Sequence, residues 1–504
     1  MQLAQLRPYA VNSQLPLFAP ELGERSALAP DAAGDAYCVE HSPAQRRPHG
    51  ITLTPNWLVD QMVGQYANDA FDTVIDAGAG SGRFSIAAAR HFPAAQVVAV
   101  EQHPEMLSLL SQRLSEEGLT RRVKVMAGDF REVEVPRQGR CLFIGNPPYV
   151  RHHDISAGHK EWYRQRMAAR GIVASQLAGL HLHFLVRASD LMRSGDEMNF
   201  VTSAEWLDNG YGDAVRQLLA GSYELRLNSL WVANSAEAVF PDALVSCAVF
   251  GAVHSKDCIE SDVRLGTISS RALCEQRRLP LATLAKSDRW SSWCRTTLQA
   301  ASSGIELGEL FRITRGQVTG CNKTWILPAR QSELPDTLTV ASVTRAREII
   351  DGSVFAATSQ AGFKRVVNLP RDLDELPDEH RRLAQSFITR AQQAGAHNGY
   401  IARHRKPWYA VDMRLPPAAF VSYMGRRPPV FSANPSRLSF VNIAHGLYPR
   451  QAMAPEALQR ILDHLNRSTD IYGGRVYGGG LAKFEPSDVA RLRVPGSVLE
   501  CASL

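Results

Sequence analysis

The chain has 504 residues, enough for about two or three domains of ordinary size. Hydrophobic residues make up 45% and charged residues 21%, a globular composition, and no apolar run approaches the ~20 residues that span a bilayer. The eight cysteines form no Cys-x-x-Cys pair, which argues against a zinc ribbon and against a disulfide framework. The N-terminus lacks the pattern of a secretory signal, so we expect a cytoplasmic protein with no metal site and no membrane contact.

The first 48 residues are rich in Pro, Ala and Gln and have no sustained period, so we interpret residues 1–48 as a loosely ordered, flexible N-terminal arm. The ordered part begins at Thr54, which we predict to be the N-cap of a helix with Pro55 at its first position. Apolar residues then recur at helical spacing, at Leu58, Val59, Met62, Val63 and Tyr66. This helix should pack against a sheet and place its capped end near a ligand.

A strand, a glycine-rich turn and a helix are predicted over residues 74–91. The turn contains Gly78, Gly80 and Gly82, and alternating glycines let a ligand approach the backbone closely. The spacing differs from the Gly-x-Gly-x-x-Gly of dinucleotide-binding folds, and Asp76 lies at the end of the strand. These two features favour an amino-acid-bearing ligand over a pyrophosphate.

Two further predicted strands lead to carboxylates. Residues 97–101 form an apolar run that ends at Glu101, about 20 residues beyond the glycines, where a carboxylate commonly binds ribose hydroxyls. Residues 123–126 lead to Asp129, which could accept a hydrogen bond from an adenine amino group, and to Phe130 beside the ring. Each acid alone is more simply a helix N-cap or a loop charge. In one alternating βα series, the carboxylates favour a nucleoside site at the carboxyl edge of a sheet.

The next apolar run stops at the sequence Gly145-Asn146-Pro147-Pro148-Tyr149. Two successive prolines forbid a helix and remove two N–H donors, so the segment is a stiff, extended loop at the end of a strand. It offers a carboxamide oxygen at Asn146, a backbone carbonyl at Pro147 and an aromatic face at Tyr149. These groups suit a planar ring with an exocyclic amino group and favour its methylation by a positioned donor. The alternative interpretation is a proline-rich turn with a chance tyrosine.

The order of these motifs resembles that of the S-adenosylmethionine-dependent DNA adenine-N6 methyltransferases of the gamma class, TaqI-like and Eco57I-like, whose target-recognition domain comes last. The resemblance covers residues 50–255. It implies an α/β fold, a Rossmann-like methyltransferase sheet with helices on both faces, followed by a C-terminal mixed α+β target-recognition domain. It also implies S-adenosylmethionine as the cofactor. The cofactor-binding residues that it implies are Thr54, Asp76, Ala77, Gly78, Glu101, Asp129 and Phe130.

For the target base, the resemblance implies that Asn146 and Pro147 accept hydrogen bonds from adenine N6 once the base has been flipped out of the duplex. Tyr149 and Phe240 are expected to sandwich the base, although Phe240 could also be a core residue. Phe184 matches an aromatic residue that lines the cofactor in relatives, but a role in the core is the simpler interpretation. Cytosine-N4 enzymes more often carry Ser or Asp at the position of Asn146. Cytosine-C5 enzymes need a Cys after Pro, and this sequence contains no Pro-Cys.

We interpret residues 49–255 as the methyltransferase domain, closed by an antiparallel strand pair, residues 256–303 as a connector, and residues 304–504 as the DNA target-recognition domain. Residues 396–450 contain eight Lys or Arg and one acid, a formal charge of +7 beside +6 for the whole chain. Aromatic residues are interleaved with the basic ones, which suits DNA better than a solvated face. The expected DNA contacts are Arg403, Arg405, Lys406, Arg426 and Arg427.

We therefore expect a site-specific DNA adenine-N6 methyltransferase that acts on double-stranded DNA as a monomer. It would serve a restriction-modification or related defence system, with a separate restriction endonuclease as partner. Two alternatives stay open: methyl transfer to an RNA base or a protein glutamine, and a catalytically silent DNA-binding subunit. The long basic C-terminal domain argues against a glutamine substrate, and the intact motif from Asn146 to Tyr149 argues against a silent subunit.

Overall fold

The computed structural model describes residues 30–221, 224–233, 239–240, 246–255, 262–294, 304–329, 333–477 and 481–500. Its largest sheet has nine strands. They are β1 (Thr73–Ala77), β2 (Gln96–Glu101), β3 (Val123–Ala127), β4 (Cys141–Gly145), β5 (Glu197–Ser203), β6 (Leu225–Ala233), β7 (Cys247–His254), β8 (Asp262–Ser269) and β9 (Ala272–Pro280). No helix within the described ranges is long and apolar enough to cross a membrane.

The strand order of this sheet is β3-β2-β1-β4-β5-β7-β6-β8-β9. Strands β1 to β5 run parallel to their neighbours among them. Strand β7 inserts antiparallel between β5 and β6, which confirms the predicted closing pair of strands. The order reverses between β1 and β4, and such a switch point leaves a crevice at the carboxyl ends of the two strands. The strand order alone therefore predicts a ligand site at the carboxyl ends of β1 and β4.

Alternate side chains of each strand point to opposite faces of the sheet, so Ile75 and its neighbour Val74 belong to two different cores. One core is covered by helices Ala157–Ala168, Leu180–Leu191 and Asp213–Leu219. The other is covered by helices Asn56–Gly64, Arg83–His91 and Pro104–Glu116. The predicted fold class, a Rossmann-like sheet with helices on both faces, is confirmed.

The interpretation of residues 256–303 as a connector is wrong, because β8 and β9 extend the sheet there. Strand β8 pairs in parallel with β6 and carries the alternating buried residues Val263 and Leu265. At Gly266 the pairing register with β9 shifts, so the alternation covers too few residues to predict a strand. Trp290, further along, is buried in the first of the two cores.

The interpretation of residues 1–48 as a flexible arm is wrong for the part that the structure describes. Residues Ala32–Glu40 form a helix with Asp31 as its N-cap. Asp31 is buried, accepts a hydrogen bond from Arg83 Nε over 2.8 Å and lies 3.2 Å from Arg113 Nε. These contacts join residues about 50 and 80 positions apart along the chain, which is why local composition did not reveal them.

Thr54 is not the N-cap that the sequence predicts. The helix is Asn56–Gly64, its N-cap is Pro55, and its cap makes no side-chain hydrogen bond. Thr54 is buried, and its carbonyl oxygen accepts a hydrogen bond from Arg83 Nη1 over 2.9 Å. A contact with a distant arginine therefore replaces the local cap.

The region after residue 304 is a mixed α+β structure, as predicted, with four small sheets in its described part. The four-stranded sheets are Phe311–Arg315, Ala444–Pro449, Ala419–Ser422 and Phe431–Ala433, and Ile326–Leu327, Arg365–Val367, Thr339–Val343 and Ser439–Phe440. The smaller sheets are Ile305–Glu306 with Arg493–Val494, and Met424–Gly425 with Leu481–Lys483 and Arg475–Tyr477. The two longest helices of this region are Asp378–Gln393 and Pro455–Ser468. Shorter helices of the chain are Pro43–Arg46, Leu281–Ala285, Leu307–Leu310, Asn322–Trp325, Ala346–Ile350, Ser353–Ala356, Tyr400–Arg403, Pro486–Ala490 and Gly496–Glu500.

We expect Asp31→Ala to lower the free energy of unfolding by about 3–5 kcal/mol, because Arg83 and Arg113 would stay buried without their carboxylate. Asp35→Ala is the matched control. Asp35 also pairs with Arg83, over 2.6 Å, but its side chain is 68% exposed, so its loss should cost less than about 1 kcal/mol. Urea unfolding followed by tryptophan fluorescence measures both variants. Equal losses would contradict the role given to Asp31.

The contribution of Asp31 to the free energy of unfolding should depend on pH. Burial favours a higher pKa for Asp31, but the hydrogen bonds from Ser81 and Arg83 and the charges of Arg83 and Arg113 outweigh it and lower the pKa. A carboxylate with a lowered pKa in the folded state stabilises the fold above its unfolded-state pKa and loses this effect as the pH falls through the folded-state pKa. The difference between wild type and Asp31→Ala should be full near neutral pH and shrink in strong acid.

Candidate active site

A cavity of about 410 Å³ lies at the switch point, where β1 and β4 end. A volume of this size is typical of cofactor sites. Its lining residues are 49–54, 78–81, 83, 84, 100–104, 106, 128, 130, 146, 148 and 184. Of the residues that the sequence assigns to a cofactor, Thr54, Gly78, Glu101 and Phe130 line the cavity.

The glycine-rich turn forms one wall of this cavity through its backbone. Gly78 and Gly80 have φ angles of 82° and 54°, in the left-handed region that glycine adopts without strain. A β-carbon at Gly78 would lie 3.4 Å from Pro148 Cδ and 3.7 Å from Phe184 Cε1. A side chain here would therefore fill the space between the turn and the loop that carries Asn146.

Glu101 connects the end of β2 to the glycine-rich turn. One of its carboxylate oxygens accepts a hydrogen bond from Gly80 N over 2.7 Å. The other accepts from the backbone N–H groups of Gln102 and His103, each over 2.8 Å. A carboxylate has about four acceptor positions, and three are used, so one remains at the cavity for a ligand hydroxyl.

Asp76 and Ala77 lie behind the cavity wall. Asp76 Oδ2 accepts a hydrogen bond from Ser85 Oγ over 2.6 Å, while Oδ1 has no partner among the described residues. Burial raises the pKa of Asp76 to about 7. A β-carbon at Gly145 would come within 3.0 Å of Asp76 Oδ1 and 3.2 Å of the Ala77 carbonyl oxygen. The absence of a side chain at Gly145 therefore lets β4 pack closely against β1, and neither Asp76 nor Ala77 lines the cavity.

Asp129 and Phe130 separate in the structure. The Phe130 ring lines the cavity and is buried. The Asp129 carboxylate instead pairs with the guanidinium of Arg131, and it lies with Glu132 and His159 in a group whose potential ligand atoms are within 4.8 Å of one another. Burial would raise the pKa of Asp129, but its hydrogen bonds and ion pair with Arg131 lower it. The carboxylate is thus already satisfied away from the cavity.

The Asn146 side chain is fixed with its oxygen available. Its Nδ2 donates a hydrogen bond to the Thr52 carbonyl over 2.9 Å, and in the described part of the chain its buried Oδ1 has no partner. A carbonyl can only accept, so the amide nitrogen must face Thr52 and the oxygen must face away. Pro147 is buried directly after it.

Tyr149 is held by a hydrogen bond from its backbone N–H to the Gly50 carbonyl, over 3.3 Å. Its ring contacts Phe240 edge to face, with centroids 6.4 Å apart and planes at 85°, and contacts His181 in the same way at 6.0 Å and 89°. The prediction that Tyr149 and Phe240 sandwich the target base stays a prediction, because no base lies between the two rings here. Rings that touch without a base between them prefer this perpendicular arrangement. Burial raises the pKa of the Tyr149 hydroxyl well above its usual value.

Sequence reasoning missed two parts of the site. Residues 50–53 line the cavity, although no role was predicted for them and no local pattern marks them. His181 lies beside Tyr149, and the two histidines among the apolar residues that begin helix Leu180–Leu191 were the available signal. Phe184 lines the cavity and is also buried, with its ring 5.3 Å from Phe130, so the core and ligand-lining interpretations both hold.

The basic residues chosen as DNA contacts fall into two groups. Arg403, Lys406, Arg426 and Arg427 are exposed. Arg405 is partly buried, and its guanidinium donates to the backbone carbonyls of Val318 and Thr319, the latter over 3.1 Å. Burial lowers the pKa of Arg405. Arg405 therefore joins two loops, and its assignment as a DNA contact stays a prediction.

A doubly covered α/β sheet of this order, with a glycine-lined cavity and an Asn-Pro-Pro-Tyr loop at its switch point, defines a Rossmann-like methyltransferase. A general methyltransferase-domain model matches residues 74–167, and the model described as Type II methyltransferase M.Eco57I, C-terminal domain, matches residues 294–503. Type II methyltransferase M.XamI of Xanthomonas campestris pv. amaranthicola is 41% identical over 452 residues, 88% of this chain and 85% of M.XamI. The chain belongs to this family, the Eco57I-like, gamma-class Type II DNA methyltransferases.

Two further proteins are similar to this chain, one over most of its length and the other over a short part. The solved complex of the Type IIL restriction-modification enzyme MmeI with DNA has the same fold over 92% of this chain and 71% of its own, with a TM-score of 0.60 at 12% identity. The release factor glutamine methyltransferase of Gloeobacter violaceus is 33% identical over 100 residues, which is 20% of this chain and 35% of that enzyme. The second similarity leaves most of this chain unmatched.

S-adenosylmethionine is the methyl donor of this family, and the cavity residues fit it. The remaining acceptor position of Glu101 suits a ribose hydroxyl, and Phe130 and Phe184 offer apolar faces for an adenine ring. The glycine backbone at Gly78 and Gly80 leaves room for the amino-acid part. When bound, this cofactor supplies an electrophilic methyl group on a sulfonium centre.

We expect Glu101→Ala to weaken S-adenosylmethionine binding by at least about tenfold, because a hydroxyl acceptor is lost and three backbone N–H groups lose their partner. Isothermal titration calorimetry measures the affinity, and circular dichroism checks the fold. Glu105→Ala is the matched control, since Glu105 lies on the next helix with its side chain 58% exposed. An unchanged affinity in Glu101→Ala would contradict the assignment.

Proposed function

We propose that this Type II methyltransferase is a site-specific DNA adenine-N6 methyltransferase, the modification enzyme of a restriction-modification system. The observation that carries the proposal is the buried Asn146 Oδ1, which has no partner within the described residues while its amide nitrogen is tied to Thr52. A buried acceptor without a donor is costly, and an amino group of the substrate would satisfy it. Asparagine at this position favours adenine over cytosine in the family that the loop resembles.

The Asn-Pro-Pro-Tyr loop would act on the amino group by positioning and electrostatics. Asn146 Oδ1 and the Pro147 carbonyl oxygen accept the two N–H bonds of adenine N6, and the Tyr149 ring offers a face for the flipped base. Accepting both hydrogens directs the nitrogen lone pair away from the loop and toward the cavity that Asn146 lines. Transfer then needs alignment with the methyl group and no covalent enzyme intermediate.

Duplex DNA is the proposed macromolecular partner. We assign catalysis to the large sheet and site recognition to the region that begins at Ile305, since Trp290 still packs in the methyltransferase core and Ile305 pairs with Val494 near the other end of the region. The exposed basic residues of this region support contact with phosphates. We also propose that the chain acts as a monomer and that restriction belongs to a separate endonuclease.

The local similarity to release factor glutamine methyltransferases favours a second candidate, methylation of a protein glutamine. That similarity spans 100 residues and gives no role to the C-terminal region of about 200 residues that the Eco57I-type model matches. We therefore rank DNA first. Assays with DNA, RNA and protein substrates distinguish these candidates.

We expect Asn146→Ala to abolish methyl transfer and to leave S-adenosylmethionine affinity within about threefold, because the Oδ1 acceptor serves the target amine. Single-molecule sequencing of DNA from cells expressing the chain should show N6-methyladenine at one sequence, and DNA from cells expressing Asn146→Ala should show none. The loss expected on removing one preorganised transition-state contact is at least ~100-fold. Near-normal turnover in the variant, or modified cytosine in the wild type, would refute the proposal.

We expect Arg426→Ala and Arg427→Ala to weaken binding to the cognate duplex. These exposed arginines precede two prolines that stiffen their loop, so docking costs little conformational entropy. A base contact should cost ~1–3 kcal/mol on the cognate duplex alone, whereas a phosphate contact should weaken binding to every sequence and reduce the salt slope by about one. Fluorescence anisotropy on cognate and scrambled duplexes at several salt concentrations separates these results.

Arg121→Ala is the matched control for this experiment. Arg121 is exposed and lies just before β3, at the amino edge of the large sheet and so opposite the switch point. Its replacement should change neither affinity. An unchanged affinity in both Arg426→Ala and Arg427→Ala would remove their loop from the interface.

A further inference from the structure

A second cavity, of about 690 Å³, lies on the other side of the segment Gly50–Thr52 from the cofactor cavity. The two cavities share this segment as a common wall. The second cavity is lined by Tyr149, the aromatic residue of the catalytic loop, and by His181, Ser203 and Glu205. A space of this size bordered by the Tyr149 ring suits a base that has left the duplex.

His181 is the unexplained group of this second cavity. Its side chain is buried, with 5% of the residue exposed, and neither ring nitrogen has a hydrogen-bond partner in the residues that the structure covers. Its ring meets the Tyr149 ring edge to face at 6.0 Å, and a β-carbon at Gly179 would come within 3.1 Å of its Nδ1. The imidazole is therefore enclosed by packing and faces a cavity with unsatisfied polar atoms.

His183, two residues along the same helix, shows what an ordinary core histidine looks like here. It is also buried, and its ring stacks on Tyr163 with centroids 4.7 Å apart and planes at 16°. It does not line the second cavity. Within the described part of the chain, His181 has no such stacking partner and contacts the catalytic loop, so packing alone does not account for a polar residue at this position.

We propose that His181 binds the flipped target base by donating a hydrogen bond to one of its ring nitrogens. The inference rests on the proposed adenine methyltransferase function. With N6 directed to Asn146 and Pro147 and one face of the base on Tyr149, the ring nitrogens remain as acceptors at the edge of the base. A neutral imidazole has one N–H donor, and burial lowers the pKa of His181 to about 4, so it is neutral at pH 7.

The proposed hydrogen bond also gives a reason for a buried His181 that has no partner among the described residues. A buried donor that lacks an acceptor destabilises the fold, and the cost is recovered if the substrate supplies the acceptor. The hydrogen bond then adds to base capture alone, since His181 does not line the cofactor cavity. His181 is thus a base-binding residue, and its loss should leave S-adenosylmethionine binding unchanged.

The test combines substitutions of His181 with bases that lack one ring nitrogen. Once the methylated site is mapped, duplexes of that site are made with adenine, 1-deazaadenine, 3-deazaadenine or 7-deazaadenine at the target. We expect His181→Ala to lower kcat/KM on the adenine duplex by roughly tenfold, the size of one neutral hydrogen bond. One of the three deaza bases should lower the wild-type kcat/KM by a similar factor, and His181→Ala should add little to that loss.

Controls separate this role from a structural one. His183→Ala should reduce kcat/KM by the same factor on all four duplexes, as a purely structural change would. His181→Gln keeps an N–H donor and should recover part of the activity. The proposal is overturned if His181→Ala has no effect, or if its effect is the same on all four duplexes. Wild-type enzyme that methylates no adenine would instead refute the proposed function.

Discussion

The hydrogen bond from Asn146 Nδ2 to the Thr52 carbonyl is the contact on which the site depends. It joins residues 94 positions apart, the end of β4 and the segment that separates the two cavities. The parallel contact from Tyr149 N to the Gly50 carbonyl ties the same segment to the aromatic end of the loop. Proline at 147 and 148 removes alternative backbone pairing, so these two contacts decide how the carboxamide and the ring are presented. The same two contacts therefore orient the Asn146 acceptor and hold the segment that separates the cavities.

The segment Gly50–Thr52 can separate the two cavities because contacts with residues before and after it fix its position. Upstream, the helix Ala32–Glu40 is anchored through Asp31, whose carboxylate is enclosed with Arg83 and Arg113. Arg83 also donates to the Thr54 carbonyl, so one guanidinium links the N-terminal helix to the end of the wall. Paired charges of this kind stabilise only as a complete set, since each member left alone would be a buried charge. The described part of the predicted arm, from residue 30 onward, thus helps to hold the candidate active site.

The sequence predicts the parts of the fold that local pattern determines. Strands β1 to β4, the closing pair β6 and β7, the glycine turn and the positions of Glu101 and Asn146 were predicted from local sequence pattern, and the structure confirms the fold class. Prediction from the sequence fails where long-range contacts override local signals. Thr54, for example, accepts a hydrogen bond from Arg83 through its carbonyl oxygen instead of capping the helix. Asp129 was assigned to a nucleoside by its place after a strand, but Arg131, two residues away, takes its carboxylate. The pair β8 and β9 was missed because Gly266 interrupts the alternation.

Several buried polar atoms of the candidate site have no hydrogen-bond partner in the described chain, and each of them costs free energy of folding. Asn146 Oδ1, the Tyr149 hydroxyl and both ring nitrogens of His181 are buried and lack partners in the described chain. Each such group costs roughly 1–3 kcal/mol, which a fold keeps only where something repays it. These three residues surround the common wall of the two cavities, within reach of the same catalytic loop. In the proposed complex, the target base would supply donors to Asn146, which lines the cofactor cavity, and an acceptor to His181, which lines the second cavity. Under these proposals, binding of an extrahelical base with an unmodified amino group offsets the cost of leaving these atoms unsatisfied.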